Sequence, residues 1–283
     1  MDELKLIECP RDAMQGIHDF IPTEVKTSYI NSILACGFDT VDFGSFVSPK
    51  AIPQLSDTAT VLEGLNPTDS NLLAIVANER GARDACEFER IDLLGYPFSV
   101  SEEFQKRNTN ATIDESFARV EAIQELVQKN NKELVLYLSM GFGNPYGEFW
   151  HPDIVAAWCE KLYDKLDVKI QALSDTIGVG TTESVASLFN TLSTSLPKVE
   201  FGAHLHTLPE NAQDMVAAAY NAGCRRFDGA ILGFGGCPMA ADDLIGNMPT
   251  EKMLAWLDEK NIATGINRTL FDSAMQEAIT VFP

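Results

Sequence analysis

Two histidines separated by a single residue, His204 and His206, end a β-rich run in the last third of this 283-residue sequence. Alternate side chains of a strand point to the same face, so the two imidazoles stand side by side and can share a metal ion. Asp12 and Asn247 could add a carboxylate and an amide oxygen. The four together form a mixed, mostly hard ligand set that prefers Mg²⁺ or Mn²⁺, and Zn²⁺ or Co²⁺ can bind the same atoms. Arg11, next to Asp12, would be a fixed cation where negative charge develops on a bound substrate. Cys237 lies in Gly-Phe-Gly-Gly-Cys-Pro, a loop whose glycines permit unusual backbone angles, and its thiol could reach a substrate as a proton donor. Each residue also has an ordinary reading. Asp12 could cap a helix, Asn247 could turn the chain after Gly246, Arg11 could pair with Asp42 or Asp175, and Cys237 could simply pack.

Positioning these groups together requires elements that bring distant parts of the chain to one place. Eight β-rich runs, at residues 5–9, 40–46, 72–77, 91–98, 134–140, 168–173, 199–206 and 226–232, alternate with amphipathic stretches of helical length. The latter include 23–35, 113–129, 153–166, 182–192 and 212–222. Pro22 and Gly37 bracket the first of these, and Thr112-x-x-Glu115 has the spacing of a capping box. This alternation predicts an α/β fold with a parallel sheet. An open doubly wound sheet would gather its site at one switch point, often with a glycine-rich phosphate loop after the first strand, where this chain has Pro-Arg-Asp-Ala-Met-Gln.

The polar residues instead fall at the ends of several strands: Pro10-Arg11-Asp12, Ser45-Phe46, Asn78, Ser174-Asp175-Thr176, His204-Leu205-His206 and Gly235-Gly236-Cys237. That distribution predicts a (β/α)8 TIM barrel with its site at the C-terminal ends of the strands. Closing the barrel places strands one and seven on either side of strand eight, so Asp12 can meet the histidines. The length and the lack of a linker or repeat fit one domain spanning residues 1–283.

Composition narrows the partners. A formal charge of −20 argues against general affinity for nucleic acid or an anionic membrane. An anionic small molecule would need a local cation or metal. The sequence has no apolar run long enough to span a bilayer and no secretory pattern at Met1-Asp2-Glu3, so a cytoplasmic location is expected. Six cysteines without a C-x-x-C pair read mostly as reduced, buried small hydrophobes.

At these residues the chain resembles the 3-hydroxy-3-methylglutaryl-coenzyme A lyase family of metal-dependent barrel lyases, related to Claisen-type synthases. The matching stretches run from Pro10-Arg11-Asp12-Ala13-Met14-Gln15 through Ser45-Phe46-Val47-Ser48-Pro49-Lys50, Pro53-Gln54, Asn108 and Glu115-Ser116-Phe117. They continue through Asp175-Thr176-Ile177-Gly178-Val179-Gly180 and His204-x-His206 to Gly235-Gly236-Cys237-Pro238 and Gly246-Asn247. The resemblance implies cleavage of a tertiary 3-hydroxyacyl-CoA to acetyl-CoA and a keto acid, acetoacetate in the parent reaction. It implies Asp12, His204, His206 and Asn247 as metal ligands, and Arg11, Asp12, Asp42, His204 and Cys237 as catalytic residues. Arg11, Gln15, Asn78 and Asp175 would contact the substrate. Apart from the resemblance, Lys50, Lys106 and Arg107 are candidate phosphate contacts, and ordinary solvated charge is the favoured reading of each.

An acyl-CoA is thus the expected small-molecule partner, and a homo-oligomer, first of all a dimer, the expected assembly. The chain departs from the family pattern at Asp42, Ser174, Thr207 and Met239, and by one extra residue between Cys237 and Asn247. These departures bear on the acyl group more than on the reaction. Two other readings are a related aldolase or synthase, and a barrel that binds metal or acyl-CoA without turnover.

Overall fold

A computed structural model describes residues 3–236 and 245–282. Its strands are β1 (Lys5–Glu8), β2 (Thr40–Ser45), β3 (Asn71–Ile75), β4 (Leu93–Ser99), β5 (Glu133–Ser139), β6 (Ile170–Asp175), β7 (Glu200–Leu205) and β8 (Arg226–Gly229). All pair in parallel in chain order, and β8 pairs with β1 from Lys5 opposite Arg226 to Glu8 opposite Gly229, closing the barrel. The helices are α1 (Pro10–Gln15), α2 (Thr23–Leu34), α3 (Thr58–Gly64), α4 (Glu79–Cys86), α5 (Glu102–Thr109) and α6 (Ile113–Lys129). They continue as α7 (Pro152–Leu166), α8 (Thr182–Ser195), α9 (Ala212–Asn221), α10 (Thr250–Glu259) and α11 (Arg268–Val281).

Strands buried on both faces carry apolar side chains in both directions. Leu72, Leu94, Leu136 and Phe201 belong to the larger core between barrel and helices. Leu73, Ile75, Leu93, Val135, Tyr137, Ile170 and Ala172 form a separate cluster at alternate positions of β3 to β6, inside the barrel. On the other side of the interior the corresponding positions are polar, with Asp42, His204, Arg226 and Asp228 all largely enclosed. The barrel therefore has an apolar half and a charged half.

Local signals fix the helix starts. Thr112 and Glu115 form the reciprocal capping box, and Asn78 and Ser101 cap α4 and α5. Each such cap is worth about 1 kcal/mol. The eighth strand is shorter than its sequence suggests. Ala230 leaves the ladder to bridge to Pro249, and residues 231–233 form a 3-10 turn in which Leu232 has φ 60°. The apolar run Ala230-Ile231-Leu232 is thus a corner that delivers the loop to the barrel mouth.

Candidate metal centre and active site

Pro10 opens α1 directly after β1, at a helix position where its missing N–H costs nothing. The first turn of α1 places Arg11 and Asp12 over the charged half of the barrel. Arg11 Nε lies 3.1 and 3.0 Å from the two carboxylate oxygens of Asp42, and Nη1 donates to Asp12 Oδ1 at 2.8 Å and to Gln15 Oε1 at 3.0 Å. Gln15 Nε2 donates to the same Asp12 oxygen at 2.6 Å. Arg11 thus pairs with Asp42, one of the partners open to it from sequence. Asp42 itself is fully buried and does not line the cavity, so it acts on the site through Arg11.

The histidines arrive from β7, and the segment before α10 comes to meet them. The Met248 amide donates to Leu205, Thr207 donates to Gly246, and His206 bridges to Asn247. Asn247 Nδ2 then donates to Asp12 Oδ2 at 2.7 Å and to the Phe234 carbonyl at 2.9 Å. Ligand atoms of Asp12, His204 and His206 all lie within 4.8 Å of one another, with Asn247 against the cluster. His204 Nδ1 lies 3.1 Å from Asp228 Oδ2, which leaves Nε2 as its free ring nitrogen. A carboxylate behind a histidine fixes its tautomer and ring orientation, as is usual at metal sites.

The electrostatics follow from burial opposed by neighbours. Burial disfavours the charged Arg11 guanidinium, but Asp42 and Asp12 reverse this and hold it above its usual value. Burial pushes Asp42 up to about 6, with Arg11 opposing. For Asp12 burial acts upward too, but Arg11, His204 and His206 outweigh it and keep the carboxylate below its ordinary value. His204 is disfavoured as a cation by burial, yet Asp228 and Asp12 raise it overall. For His206, burial and the neighbouring His204 outweigh Asp12 and the Thr176 backbone and lower it to about 4. A neutral His206 beside an ionised Asp12 is the state a cation requires. The fit is supported by His206 Nδ1, which is buried with no hydrogen-bond partner, and by the Asn247 amide, whose nitrogen is committed and whose oxygen is left for ligation.

The cluster opens into a cavity of about 520 Å³. Arg11, Asp12, Gln15, Asn78, His204 and His206 line it on the side of the cluster, and Ile75, Pro97 and Tyr137 contribute apolar surface. Asn78 does double duty, since its side chain also caps α4 by accepting from Gly81 at 3.0 Å. Asp175 is not among the lining residues. Its carboxylate accepts from the Val179 and Gly180 amides at 3.0 and 2.7 Å and shapes the loop after β6. Arg107 reaches the cavity while paired with Glu103, whereas Lys106 pairs with Glu102 outside it and Lys50 is exposed. Cys237, Met239, Asp242 and Asp243 lie outside the described residues.

Sequence reasoning missed Asp228, Tyr137, Ser139 and the lining role of Ser174 and Thr176. Strand alternation could have found Asp228, which precedes Ala230 by two positions and faces inward opposite His204.

The HMGL-like family model matches residues 4–276. The chain belongs to the HMGL-like family. Among its relatives, human mitochondrial hydroxymethylglutaryl-CoA lyase is 32% identical over 268 residues, covering 93% of this chain and 81% of that one. The rat cytoplasmic 3-hydroxy-3-methylglutaryl-CoA lyase is 29% identical over 266 residues, 93% and 77% of the two chains. Among solved structures, the HMG-CoA lyase of Brucella melitensis superposes with a TM-score of 0.90 at 29% identity, covering 99% of both chains. That of Acinetobacter baumannii, in complex with coenzyme A and 3-methylmalate, gives 0.91 at 29%, covering 99% and 91%. The agreement spans this HMGL-like chain from β1 into α11, so the barrel and every strand end that builds its site fall within the family match.

Proposed function

We propose that this chain is a metal-dependent carbon–carbon lyase that cleaves 3-hydroxy-3-methylglutaryl-CoA, or a close 3-hydroxyacyl-CoA, to acetyl-CoA and acetoacetate or the corresponding keto acid. The observation that carries this reading is the Asp12–His204–His206 cluster opening, with Arg11, into a cavity that can take an acyl chain. Asp12, His204 through Nε2, His206 and Asn247 through its amide oxygen would hold the ion, with Mg²⁺ or Mn²⁺ preferred for this donor set. When bound, the ion supplies Lewis acidity that lowers the pKa of the substrate 3-hydroxyl.

The residues do the rest. Arg11, fixed by Asp42 and Gln15, presents a cation where the thioester oxygen gains charge as the bond between C2 and C3 breaks. The 3-hydroxyl gives its proton to solvent, C3 becomes the ketone of the keto acid, and the electron pair of the broken bond passes to C2 and the thioester carbonyl. Cys237 is the proposed donor of the proton that converts this enolate to acetyl-CoA. Ile75, Pro97 and Tyr137 keep water away from the carbanionic carbon on the other side of the cavity.

The wider reading is of a cytoplasmic enzyme, the location named for the rat relative, although mitochondrial relatives match as well. The test is direct. Purified protein with Mg²⁺ or Mn²⁺ releases acetyl-CoA from 3-hydroxy-3-methylglutaryl-CoA and stops when the metal is chelated. Metal binding without cleavage across a panel of 3-hydroxyacyl-CoA thioesters would overturn the catalytic reading.

A further inference from the structure

His204 belongs to two clusters. Below the cavity, Cys9 after β1, His204 on β7 and Asp228 on β8 bring a thiol, an imidazole nitrogen and a carboxylate oxygen within 4.8 Å of one another. These are three adjacent strands of the barrel, and β8 lies between the other two. Neither Cys9 nor Asp228 lines the 520 Å³ cavity, whereas His204 does. His204 therefore offers Nε2 upward to Asp12 and His206 and Nδ1 downward to Asp228. Two further observations bear on the same residues. Asp228 Oδ1 and the hydroxyl of Tyr137 are both buried with no hydrogen-bond partner, and the Tyr137 ring stands edge-on to His204 at 5.2 Å.

We propose that Cys9, His204 Nδ1 and Asp228 form a second cation site, for thiophilic divalent ions such as Zn²⁺ or Cd²⁺, that shares His204 with the site above it. One thiolate, one imidazole and one carboxylate form a ligand set suited to zinc, while Mg²⁺ and Mn²⁺ favour oxygen donors. The two levels of the barrel thus sort ions by softness: a hard ion fills the upper site alone, and a thiophilic ion fills both. Binding displaces the Cys9 thiol proton and the His204 Nδ1 proton to solvent, and no electron transfer is involved. Asp228 changes from hydrogen-bond acceptor to ligand, and the imidazole becomes a bridge between the two levels. Burial, with Asp228, Asp42 and Asp12 nearby, holds the Cys9 thiol protonated while no cation is present, so it is not a free nucleophile.

The competing account is that Asp228 only orients His204 and Cys9 only packs. Cd²⁺ titration of the full chain in excess Mg²⁺ separates the two, read by ion stoichiometry and by thiolate-to-cadmium charge transfer in the ultraviolet. The wild type is expected to bind one more Cd²⁺ per chain than Cys9→Ala. A charge-transfer band should vanish in Cys9→Ala and survive in Cys237→Ala. Asp228→Asn should keep the band but weaken this ion's binding by about tenfold or more. Equal stoichiometry and an unchanged band in the wild type and Cys9→Ala would overturn the proposal, as would a band lost only in Cys237→Ala. If Cys9→Ala does not fold, Cys9→Ser keeps the side-chain shape without the thiolate and gives the same readout. None of these measurements depends on which thioester the enzyme cleaves.

Discussion

Glu8 is fully buried behind the site, where it tethers the corner that leads to the metal-centre loop. Its Oε1 accepts from the Ile231 amide at 2.7 Å, and its Oε2 lies 2.6 Å from the Thr250 hydroxyl. Burial is the largest influence on it and, with Glu251, outweighs both hydrogen bonds, raising its pKa from 4.5 to about 8. Below pH 4.5 folded and unfolded chains both hold the proton. Between pH 4.5 and 8 the unfolded chain has lost it while the folded chain keeps it, so stability falls as pH rises through this window. A shift of about 3.5 pH units at 1.36 kcal/mol each gives a loss of about 5 kcal/mol, spread at about 1.4 kcal/mol per unit.

Glu8→Gln removes the titration and keeps the shape. Its amide oxygen can accept from Ile231 and its nitrogen can donate to Thr250. Urea unfolding at pH 4 to 8 should show the variant and the wild type within about 1 kcal/mol at the acid end and the variant several kcal/mol more stable at pH 8. Taking the difference between the two proteins cancels the repulsion of the other charges in this chain of net charge −20. Parallel profiles for the two proteins would refute the reasoning, because Glu8 would then titrate alike in folded and unfolded chains.

Gly235 has φ 92°, and a methyl group there would lie 2.7 Å from the Asp12 carbonyl and 2.8 Å from Asn247 Nδ2. Gly235→Ala should therefore lower Mn²⁺ affinity by at least tenfold, measured by equilibrium binding, and unchanged affinity would show that this loop does not support the site. Cys237→Ala should lower turnover by roughly two to four orders of magnitude and leave Mn²⁺ affinity nearly unchanged; near wild-type turnover would return Cys237 to a packing role. Among Asn247→Ala, Asp242→Ala and Asp243→Ala, only the asparagine variant should lose Mn²⁺ affinity. Loss in an aspartate variant alone would move the ligand into the lengthened loop.

The sequence was most readable where one residue's role is set by the period of its own element. All eight strands were legible because short β-rich runs alternate with amphipathic stretches of helical length, and their C-terminal ends were legible because polar residues collect there. The side-by-side histidines required only the two-residue period of β7. Asn247 was harder, because its place depends on residues 246–249 folding back against the end of β7, a contact between distant segments that no local period encodes. The eighth strand was overrun for the same reason: Ile231 and Leu232 are apolar enough to continue it, and it stops because Ala230 takes Pro249 as a partner and Glu8 accepts the Ile231 amide.

Cys9 and Asp228 were hidden for a different reason. A cysteine after a strand has the composition of ordinary packing, and an aspartate inside a strand looks like an exposed position until the closed barrel shows which face is the interior. Closing the barrel makes these positions chemically costly. An ionised Asp228 enclosed in the barrel costs several kcal/mol unless neighbours compensate. Arg226, two residues earlier on the same inward face, supplies part of that compensation and is itself raised by Asp228 against its burial. His204 takes one carboxylate oxygen and leaves the other unsatisfied. If Asp228 served only to orient His204, a neutral amide accepting the Nδ1 proton would do so without the cost of a buried charge, and Asp228→Asn would raise stability without loosening the upper metal. A carboxylate in this place, unlike an amide, supplies the negative charge that the proposed second ion requires.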